Sequence, residues 1–193
     1  MSVKDFVQQR RDALIAMRRD FHMYPEPAWL EYRSAAKVAD RLISLGYDVA
    51  LGADVLDLDS RMGLPSDEVM KAAMDRAIEE GANLELVEKM GYGKTAIVAT
   101  MNFGGEGSVV AFRVDMDSND VIEAKEDNHV PTKKGFRSCH DKAMHACGHD
   151  AHMTMGLGLA EYLATHKDEF KGTIKLIFQP AEEGVRGAKA MAE

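Results

Sequence analysis

The second half of the chain contains two apolar stretches, residues 108–114 (SVVAFRV) and 173–179 (TIKLIFQ), with one amphipathic stretch between them. The amphipathic stretch predicts a helix that begins near Asp150, with apolar residues on one face at Met153, Leu157, Ala160 and Leu163. A strand, a long helical connection and a second strand are typical of a parallel βαβ unit. This pattern constrains the fold most, because it predicts an α/β sheet.

Two helices are predicted before the first strand. The first begins after Ser2, which resembles a capping residue, and ends near Tyr24 because Pro25 cannot continue it. The second covers about 34–45, and Gly46 stands where a C-terminal cap belongs. Both helices are expected to cover a sheet.

The middle of the chain is predicted to contain three strands and a helical insertion. The strands are expected at 47–51, 94–101 and 108–114. The insertion covers about 53–91 and carries apolar residues at helical spacing. Because only a glycine-rich turn, 104–107, separates the last two of these strands, they are predicted to form a hairpin.

Composition and charge exclude several classes of protein. Lys and Arg number 24 against 32 Asp and Glu, and this net charge of −8 disfavours binding to nucleic-acid phosphates. No apolar run approaches the ~18 residues needed to cross a bilayer, and the first residues do not resemble a secretory signal. Two cysteines, Cys139 and Cys147, do not make a disulfide framework. We therefore expect a cytoplasmic protein that binds neither nucleic acid nor membrane.

The densest chemical pattern is MHACGHDAH at residues 144–152, with three histidines and one cysteine. Thiolate and imidazole are strong zinc ligands, and Cys147 and His149 stand two apart, so both can face one centre in an extended loop. Gly148 lets the backbone turn between them, and Asp150 is predicted to cap the following helix. The sequence therefore predicts a metal or anion site on a loop that enters a helix.

Plainer interpretations of these residues stay open. Cys147 can be a small buried apolar residue, and His149 a loop histidine with ordinary hydrogen bonds. His145 and His152 suit a structural role as well as the support of a ligand, and Cys139 lacks a partner at zinc-finger spacing. The remaining histidines are not expected to bind metal and are His22, His129, His140 and His166.

Carboxylates follow two of the predicted strands. Glu182 and Glu183 come just after the last strand, and Asp115 and Asp117 end the strand before it. The reactive groups of α/β sheets gather beyond the carboxyl ends of strands. One glutamate can bind a cation while its neighbour takes a proton from water. For both pairs, the alternative is that the carboxylates are ordinary solvent-exposed side chains at the ends of strands.

Four segments carry a resemblance to a known family: RRDFHMYPEPAWLEYRSA at 18–35, FRVDMD at 112–117, MHACGHDAH at 144–152 and IFQPAEEGVRGAKAM at 177–191. The chain resembles the metal-dependent amidohydrolases of the carboxypeptidase G and acylamino-acid hydrolase superfamily, in the subgroup of hippurate and auxin-conjugate hydrolases. The resemblance covers essentially the whole chain. It implies that residues 1–193 are the N-terminal part of a phosphorylase/hydrolase-like catalytic domain, with a mixed, mostly parallel sheet flanked by helices.

The resemblance also implies roles for individual residues. Two divalent metal ions, zinc or manganese, are expected, and the metal ligands found in this chain would be Cys147, His149 and Glu183. Glu182 would be the general base. Asp117 corresponds to the catalytic-site aspartate that steadies a metal-binding histidine in relatives. In this chain Asp115 stands at the position of that histidine, and His149 is expected to compensate for the missing imidazole.

The implied reaction is hydrolysis of the amide bond of N-acyl or N-aroyl amino acids, with p-aminobenzoyl-glutamate as the expected substrate and hippurate or another N-acylamino acid as the alternative. Relatives are longer, with further histidine ligands and a lid and dimerisation domain. We therefore expect this chain to be incomplete, inactive alone, and associated through its unfinished sheet as a dimer or with a second, related polypeptide. There are three alternatives. The chain can be a natural short product that completes its site with another chain, a non-catalytic metal-binding module, or a redox protein.

Overall fold

A mixed β-sheet with helices packed against it forms the centre of the protein. The structure, a computed structural model, describes residues 1–192. The strands are β1 (Asp48–Leu51), β2 (Ile97–Asn102), β3 (Val109–Asp115) and β4 (Thr173–Gln179). The helices are α1 (Val3–Met23), α2 (Tyr32–Ser44), α3 (Asp67–Glu79), α4 (Leu84–Met90), α5 (Val130–Lys133), α6 (His149–Thr165) and α7 (Gly187–Ala192).

The ends of α1 and α2 follow from local interactions. The hydroxyl of Ser2 accepts a hydrogen bond from the backbone N–H of Asp5 at 3.2 Å and starts α1. Pro25 follows the last turn of this helix. Gly46, with a φ of +82°, adopts the left-handed conformation after α2. Both predicted helices are confirmed to within a turn.

The four strands pair in the order β1-β2-β4-β3. The β1–β2 and β2–β4 pairs are antiparallel, and the β3–β4 pair is parallel and is connected through α6. The predicted α/β fold with a mixed sheet and the βαβ unit are confirmed. The expectation of a mostly parallel sheet does not hold for these four strands, because only the βαβ connection produces a parallel pair.

The predicted hairpin between β2 and β3 is wrong, because β4 lies between these two strands. The glycine-rich turn instead crosses over the start of β4. The N–H of Phe103 donates to the carbonyl of Gly172 at 2.9 Å, and the N–H of Gly172 donates to the carbonyl of Gly104 at 3.1 Å. A Cβ on Gly107 would lie 2.8 Å from the backbone nitrogen of Gly172. The glycines therefore permit a close crossing of two backbones, which local sequence does not reveal.

Helix α6 packs directly on the sheet. A Cβ added to Gly156 in this helix would lie 2.9 Å from Val114 and 3.1 Å from the ring of Phe178. The hydrophobic core combines the sheet with α1, α2 and α6, and its fully buried side chains include Phe21, Leu42, Ile97, Met153, Leu176 and Phe178. This apolar burial is the main term that stabilises the fold. It holds the N-terminus of α6 at the carboxyl ends of β3 and β4.

Helices α3 and α4 lie in the interval of the predicted helical insertion, 53–91, and both contact α2. The hydroxyl of Ser66 accepts from the N–H of Val69 at 3.4 Å and caps α3. Gly81 follows α3 with a φ of +88°. The insertion therefore extends the helical layer around α2.

The outer edge of β3 is uncovered. Val109, Val110 and Phe112 are 65%, 42% and 43% exposed. Such exposure is unusual for an apolar strand. Within residues 1–192, no helix has the length and apolar character to cross a membrane.

Candidate metal centre

Three chain segments meet at the carboxyl ends of β3 and β4. Asp115, at the end of β3, lies opposite Gln179, at the end of β4, in the parallel register. The segments that follow these strands, 116–118 and 180–183, therefore leave the sheet side by side. Helix α6 begins beside them at His149. Residues that are distant in sequence thus share the position where α/β sheets carry ligands.

His149 is oriented by the segment after β3. Its Nδ1 donates to the backbone carbonyl of Asp117 at 2.7 Å, so Nε2 carries the lone pair when the ring is neutral. Nε2 lies 3.6 Å from a carboxylate oxygen of Asp115, 3.7 Å from one of Glu182 and 3.8 Å from one of Glu183. This orientation presents an imidazole ligand to three carboxylates.

Asp117 holds the two glutamates in place. One of its carboxylate oxygens accepts from the backbone N–H of Glu182 and the other from that of Glu183, each at 2.9 Å. Asp117 is buried, so these bonds are shielded from water. The geometry therefore makes Asp117 an organiser of this part of the site.

Glu31 supports the same turn from beneath. Its buried carboxylate accepts from the backbone N–H of Ala181 at 2.8 Å and from the hydroxyl of Thr95 at 2.7 Å. Burial and the nearby charge of Asp117 raise the pKa of Glu31 to about 8. Ala181 has a φ of +52°, a strained value for alanine, and the hydrogen bond that its N–H donates to Glu31 helps to hold this conformation.

Cys147 is exposed, and its thiol contacts the carboxylate of Glu183. Its loop is held by Asn119, whose side-chain oxygen accepts from the N–H groups of Ala146 and Cys147, each at 3.1 Å. The Nδ2 of Asn119 lies 3.5 Å from the sulfur of Cys147. The interpretation of Cys147 as a buried apolar residue is therefore wrong.

The charge distribution favours a cation at this point. Burial lowers the pKa of His149, but hydrogen bonding to Asp117 and the charge of Asp115 outweigh it and raise the pKa to about 9. The Oε1 of Glu183 is buried and has no hydrogen-bond partner within residues 1–192. The contact with Glu183 raises the pKa of Cys147, so a thiolate there needs a nearby cation. The sulfur, nitrogen and carboxylate donors together fit a divalent ion such as zinc.

A second group of donors lies beside the first. The Nδ1 of His152 lies 2.6 Å from an oxygen of Asp115, and ligand atoms of these two residues and His149 all lie within 4.8 Å of one another. Arg113 holds the other oxygen of Asp115 through Nη1 at 2.9 Å and donates to Gln179 through Nε at 2.9 Å. The ends of both strands are therefore tied to this second group.

Asp150 does not cap α6, so that prediction is wrong. The N-cap is Gly148, with a φ of +84°, and Asp150 points into the interior. Its carboxylate lies 2.7 Å from Nδ1 of His22 and 2.9 Å from Nε of Arg18. The Nε2 of His22 contacts Glu123 at 2.9 Å. The buried His22 and the half-buried Arg18, both on α1, engage this carboxylate, and the network anchors the start of α6.

His145 and Cys139 are not members of these two donor groups. His145 is buried, neither of its ring nitrogens has a hydrogen-bond partner within residues 1–192, and burial lowers its pKa to about 4. It is therefore a neutral ring behind the site. Cys139 groups with Glu80 and His140.

Three residues that organise the site were not found by sequence reasoning: Glu31, Arg113 and Asn119. Glu31 and Arg113 lie in the segments 18–35 and 112–117, which carry the family resemblance. That resemblance was the sequence signal that could have identified them as site residues. Asn119 follows the second segment by two positions. Their partners lie up to 150 residues away, so only the tertiary structure pairs them.

The chain is similar in sequence to known proteins. Residues 111–193 match the peptidase family M20/M25/M40. The indole-3-acetyl-aspartic acid hydrolase of Enterobacter agglomerans is 48% identical, over 98% of this chain and 43% of the relative. A p-aminobenzoyl-glutamate hydrolase subunit of Escherichia coli is 47% identical, over 100% of this chain and 44% of the relative. The chain thus spans less than half the length of these relatives.

Two solved structures share the fold. The aminobenzoyl-glutamate utilization protein of Klebsiella pneumoniae gives a TM-score of 0.80 at 41% identity, over 99% of this chain and 42% of that one. The YXEP protein of Bacillus subtilis, described as a dinuclear metal binding peptidase from the M20 family, gives 0.63 at 27% identity, over 97% and 38%. The matched segment identifies residues 111–193 as part of a domain of the peptidase family M20/M25/M40, and the shared fold and these relatives agree with that assignment.

Proposed function

We propose that this protein supplies the metal centre of an enzyme that hydrolyses the amide bond of N-aroyl or N-acyl amino acids. The observation that supports the proposal most is the meeting of His149 and Glu183 beside the accessible carboxylate of Glu182. The thiol of Cys147 contacts Glu183 at the edge of this group. Metal ligands next to a carboxylate base are the parts that metal-assisted amide hydrolysis requires.

Two divalent ions, zinc or manganese, are proposed. Cys147, His149 and Glu183 would hold one, and Asp115 and His152 lie beside them as donors for another. A bound divalent ion would lower the pKa of water and polarise the amide carbonyl. The thiolate favours zinc, whereas the carboxylates also suit manganese.

Glu182 is the proposed general base. Its backbone is fixed by Asp117, while its side chain is 38% exposed and open to water. The Nη2 of Arg113 lies 3.9 Å from its Oε1 and adds positive charge on one side of the carboxylate. Glu182 can take a proton from water at one carboxylate oxygen and return it to the leaving nitrogen.

The proposed substrate class is an aromatic acyl group joined by an amide bond to an acidic amino acid. The names of the two relatives, an indole-3-acetyl-aspartic acid hydrolase and a p-aminobenzoyl-glutamate hydrolase, share this chemistry. We propose p-aminobenzoyl-glutamate, with p-aminobenzoate and glutamate as products. Hippurate, which lacks the acidic side chain, is the alternative.

Residues 1–193 are proposed to need further polypeptide for activity. The Cys147 centre (Cys147, His149 and Glu183) and the two donors beside it, Asp115 and His152, together offer fewer ligands than the three per ion that catalytic zinc sites use. The chain also spans less than half the length of its relatives. The exposed edge of β3 offers a surface for assembly, as a dimer or with a second, related polypeptide, since the Escherichia coli relative is named as one subunit of a hydrolase. A cytoplasmic location, where both thiols stay reduced, is also proposed.

Hydrolysis assays test this function. Products are measured from p-aminobenzoyl-glutamate, indole-3-acetyl-aspartate and hippurate, with the 193-residue chain and with the full product of its gene, each loaded with zinc or manganese. We expect the full product to hydrolyse the two acidic amides faster than hippurate, and the 193-residue chain to show little activity. If the metal-loaded full product hydrolyses none of the three amides, the proposed hydrolase function is refuted. Rapid hydrolysis by the 193-residue chain alone would overturn the need for further polypeptide.

A further inference from the structure

A second cluster of metal-binding side chains lies outside the Cys147 centre. The ligand atoms of Glu80, Cys139 and His140 all lie within 4.8 Å of one another. Glu80 is the residue that ends α3, whereas Cys139 and His140 lie on the loop between α5 and α6. Because Glu80 is 60 positions from His140, no sequence spacing reveals the cluster.

His140 is oriented as a metal ligand. Its Nδ1 lies 2.7 Å from the backbone carbonyl of Pro25, which only accepts hydrogen bonds, so Nδ1 carries the proton. Its Nε2 faces Oε1 of Glu80 at 2.7 Å. A neutral ring would place a lone pair against this carboxylate, so a cation or a second ring proton must lie there. Histidines that bind metals are commonly fixed by such a bond to a carbonyl.

Glu80 places a carboxylate where positive charge is favoured. It lies at the C-terminus of α3, where the helix dipole is negative. Its Oε2 is buried and has no hydrogen-bond partner within the described part of the chain. A buried carboxylate oxygen without a donor is unfavourable unless a cation satisfies it.

Cys139 completes the donor set. Its backbone N–H donates to the carbonyl of Met23 at 2.9 Å, which fixes the loop against the end of α1. Burial and the charge of Glu80 raise the pKa of the Cys139 thiol, so a metal ion is needed to hold it as a thiolate. The residue is exposed on its outer side, which leaves an entry path and room for water.

Two arginines lie near the cluster. The guanidinium of Arg33 is held by Asp20 at 2.9 and 3.1 Å and donates to the backbone carbonyl of Glu80. The Nε and Nη2 of Arg76 are buried without hydrogen-bond partners, so they do not satisfy Oε2 of Glu80. The positive charges of Arg33 and Arg76 disfavour a bound cation. A thiolate at Cys139 adds a second negative charge beside Glu80 and offsets this repulsion.

We propose that Glu80, Cys139 and His140 bind a soft divalent cation of the zinc type, with a fourth position open to solvent. Thiolate, imidazole and carboxylate are ligands that zinc accepts together. Such an ion ties the end of α3 to the loop before the Cys147 segment. The site shares no residue with the Cys147 centre and does not depend on the proposed hydrolase function.

Cobalt(II) binding to the intact protein tests this site. A thiolate bound to cobalt gives a charge-transfer band in the near ultraviolet, and zinc displaces it. Cys147→Ser removes the other thiolate, so in that variant the band reports Cys139. We expect the band in Cys147→Ser and its loss in Cys139→Ser/Cys147→Ser. It should persist in the matched control Cys147→Ser/His166→Asn, which changes a histidine outside the cluster.

Zinc affinity gives a second measurement, by competition with a chromophoric chelator. In the Cys147→Ser background, His140→Asn should weaken zinc binding at this site by more than about tenfold, while the far-ultraviolet circular dichroism is unchanged. A folded Cys147→Ser protein without the cobalt band, or a band that persists in Cys139→Ser/Cys147→Ser, overturns the proposal. The cluster would then be a plain ion pair of protonated His140 with Glu80.

Discussion

The Nδ1 of His149 donates a hydrogen bond to the backbone carbonyl of Asp117 at 2.7 Å. The contact decides which ring nitrogen faces the site, because only the opposite nitrogen can then offer a lone pair. The side chain of Asp117 meanwhile binds the backbone of both Glu182 and Glu183. One residue thus orients the imidazole and holds the backbone of both glutamates of the candidate centre.

Replacement of Asp117 should therefore weaken metal binding without removing a ligand. In Asp117→Asn, the amide nitrogen would face one of the two N–H donors and repel it. We expect metal affinity to fall by about 10–100-fold, the range for lost outer partners of metal ligands. Competition titration with a chromophoric chelator measures this. Asp127→Asn, an exposed change of the same type, is the control. Equal affinities of the two variants would contradict the organising role.

Glu182→Gln should separate catalysis from metal binding. The amide cannot take a proton from water, so we expect kcat of the full product to fall by about 10²–10⁴-fold. The metal content should stay near that of the wild type, because Glu182 is not one of the three proposed ligands. Glu106→Gln, in an exposed turn, serves as the matched control. A loss of activity within about tenfold, at full metal content, would refute Glu182 as the base.

His22 should be important for stability, because it bridges two buried carboxylates. His22→Gln removes the cation that Asp150 and Glu123 share and leaves each with one weaker partner, so the cost should approach but not exceed the about 3–5 kcal/mol of a broken buried pair. His129 contacts the same oxygen of Glu123 but is 25% exposed, so His129→Gln should cost less than about 1 kcal/mol. Urea unfolding of both variants measures the difference. Equal destabilisation would show that burial is not the deciding factor.

The contribution of His22 should also depend on pH. Burial lowers its pKa, but hydrogen bonds to Asp150 and Glu123 outweigh this and raise the pKa above 6.5. A raised pKa stabilises the protonated ring, so this contribution is complete below about pH 6.5 and is lost as the pH rises through the raised value. The difference in unfolding free energy between wild type and His22→Gln should therefore shrink as the pH rises above about 6.5. A constant or growing difference would contradict this assignment.

The close crossing of the glycine-rich turn over β4 can be tested with two alanine substitutions. Gly172 and Gly104 have φ of +79° and +75°, so alanine is strained at both. A Cβ on Gly172 would lie 2.5 Å from the carbonyl oxygen of Ser108, whereas Gly104 has open space. Gly172→Ala should therefore be less stable than Gly104→Ala by about 1–3 kcal/mol. Chemical unfolding that gives equal values would argue against the crossing.

Local sequence predicted the elements whose ends depend on neighbouring residues. The hydroxyl of Ser2 caps α1, Pro25 follows its end, and Gly46 follows α2, and each of these effects acts within one turn of helix. The strands and α6 were found from their apolar periodicity. The cap assigned to Asp150 failed, because the buried His22, 128 positions away, engages that carboxylate.

The order of the strands was not predictable in the same way. The turn between β2 and β3 has the length and glycine content of a hairpin, and only the insertion of β4 shows that it crosses another backbone. Pairing of this kind depends on the packing of α6 and on contacts between Gly107 and Gly172, which are 65 positions apart. Periodicity cannot report such contacts.

The sequence alone determined the chemistry that is available: a thiol, imidazoles and paired carboxylates, placed beside strands by their local pattern. The tertiary structure decided which of these groups meet. The parallel register of β3 and β4 brings Asp117 beside Glu183, and the start of α6 adds His149 to them. The physical reason is that ligand and hydrogen-bond geometry depends on ångström distances between segments, which are fixed only when the core packs.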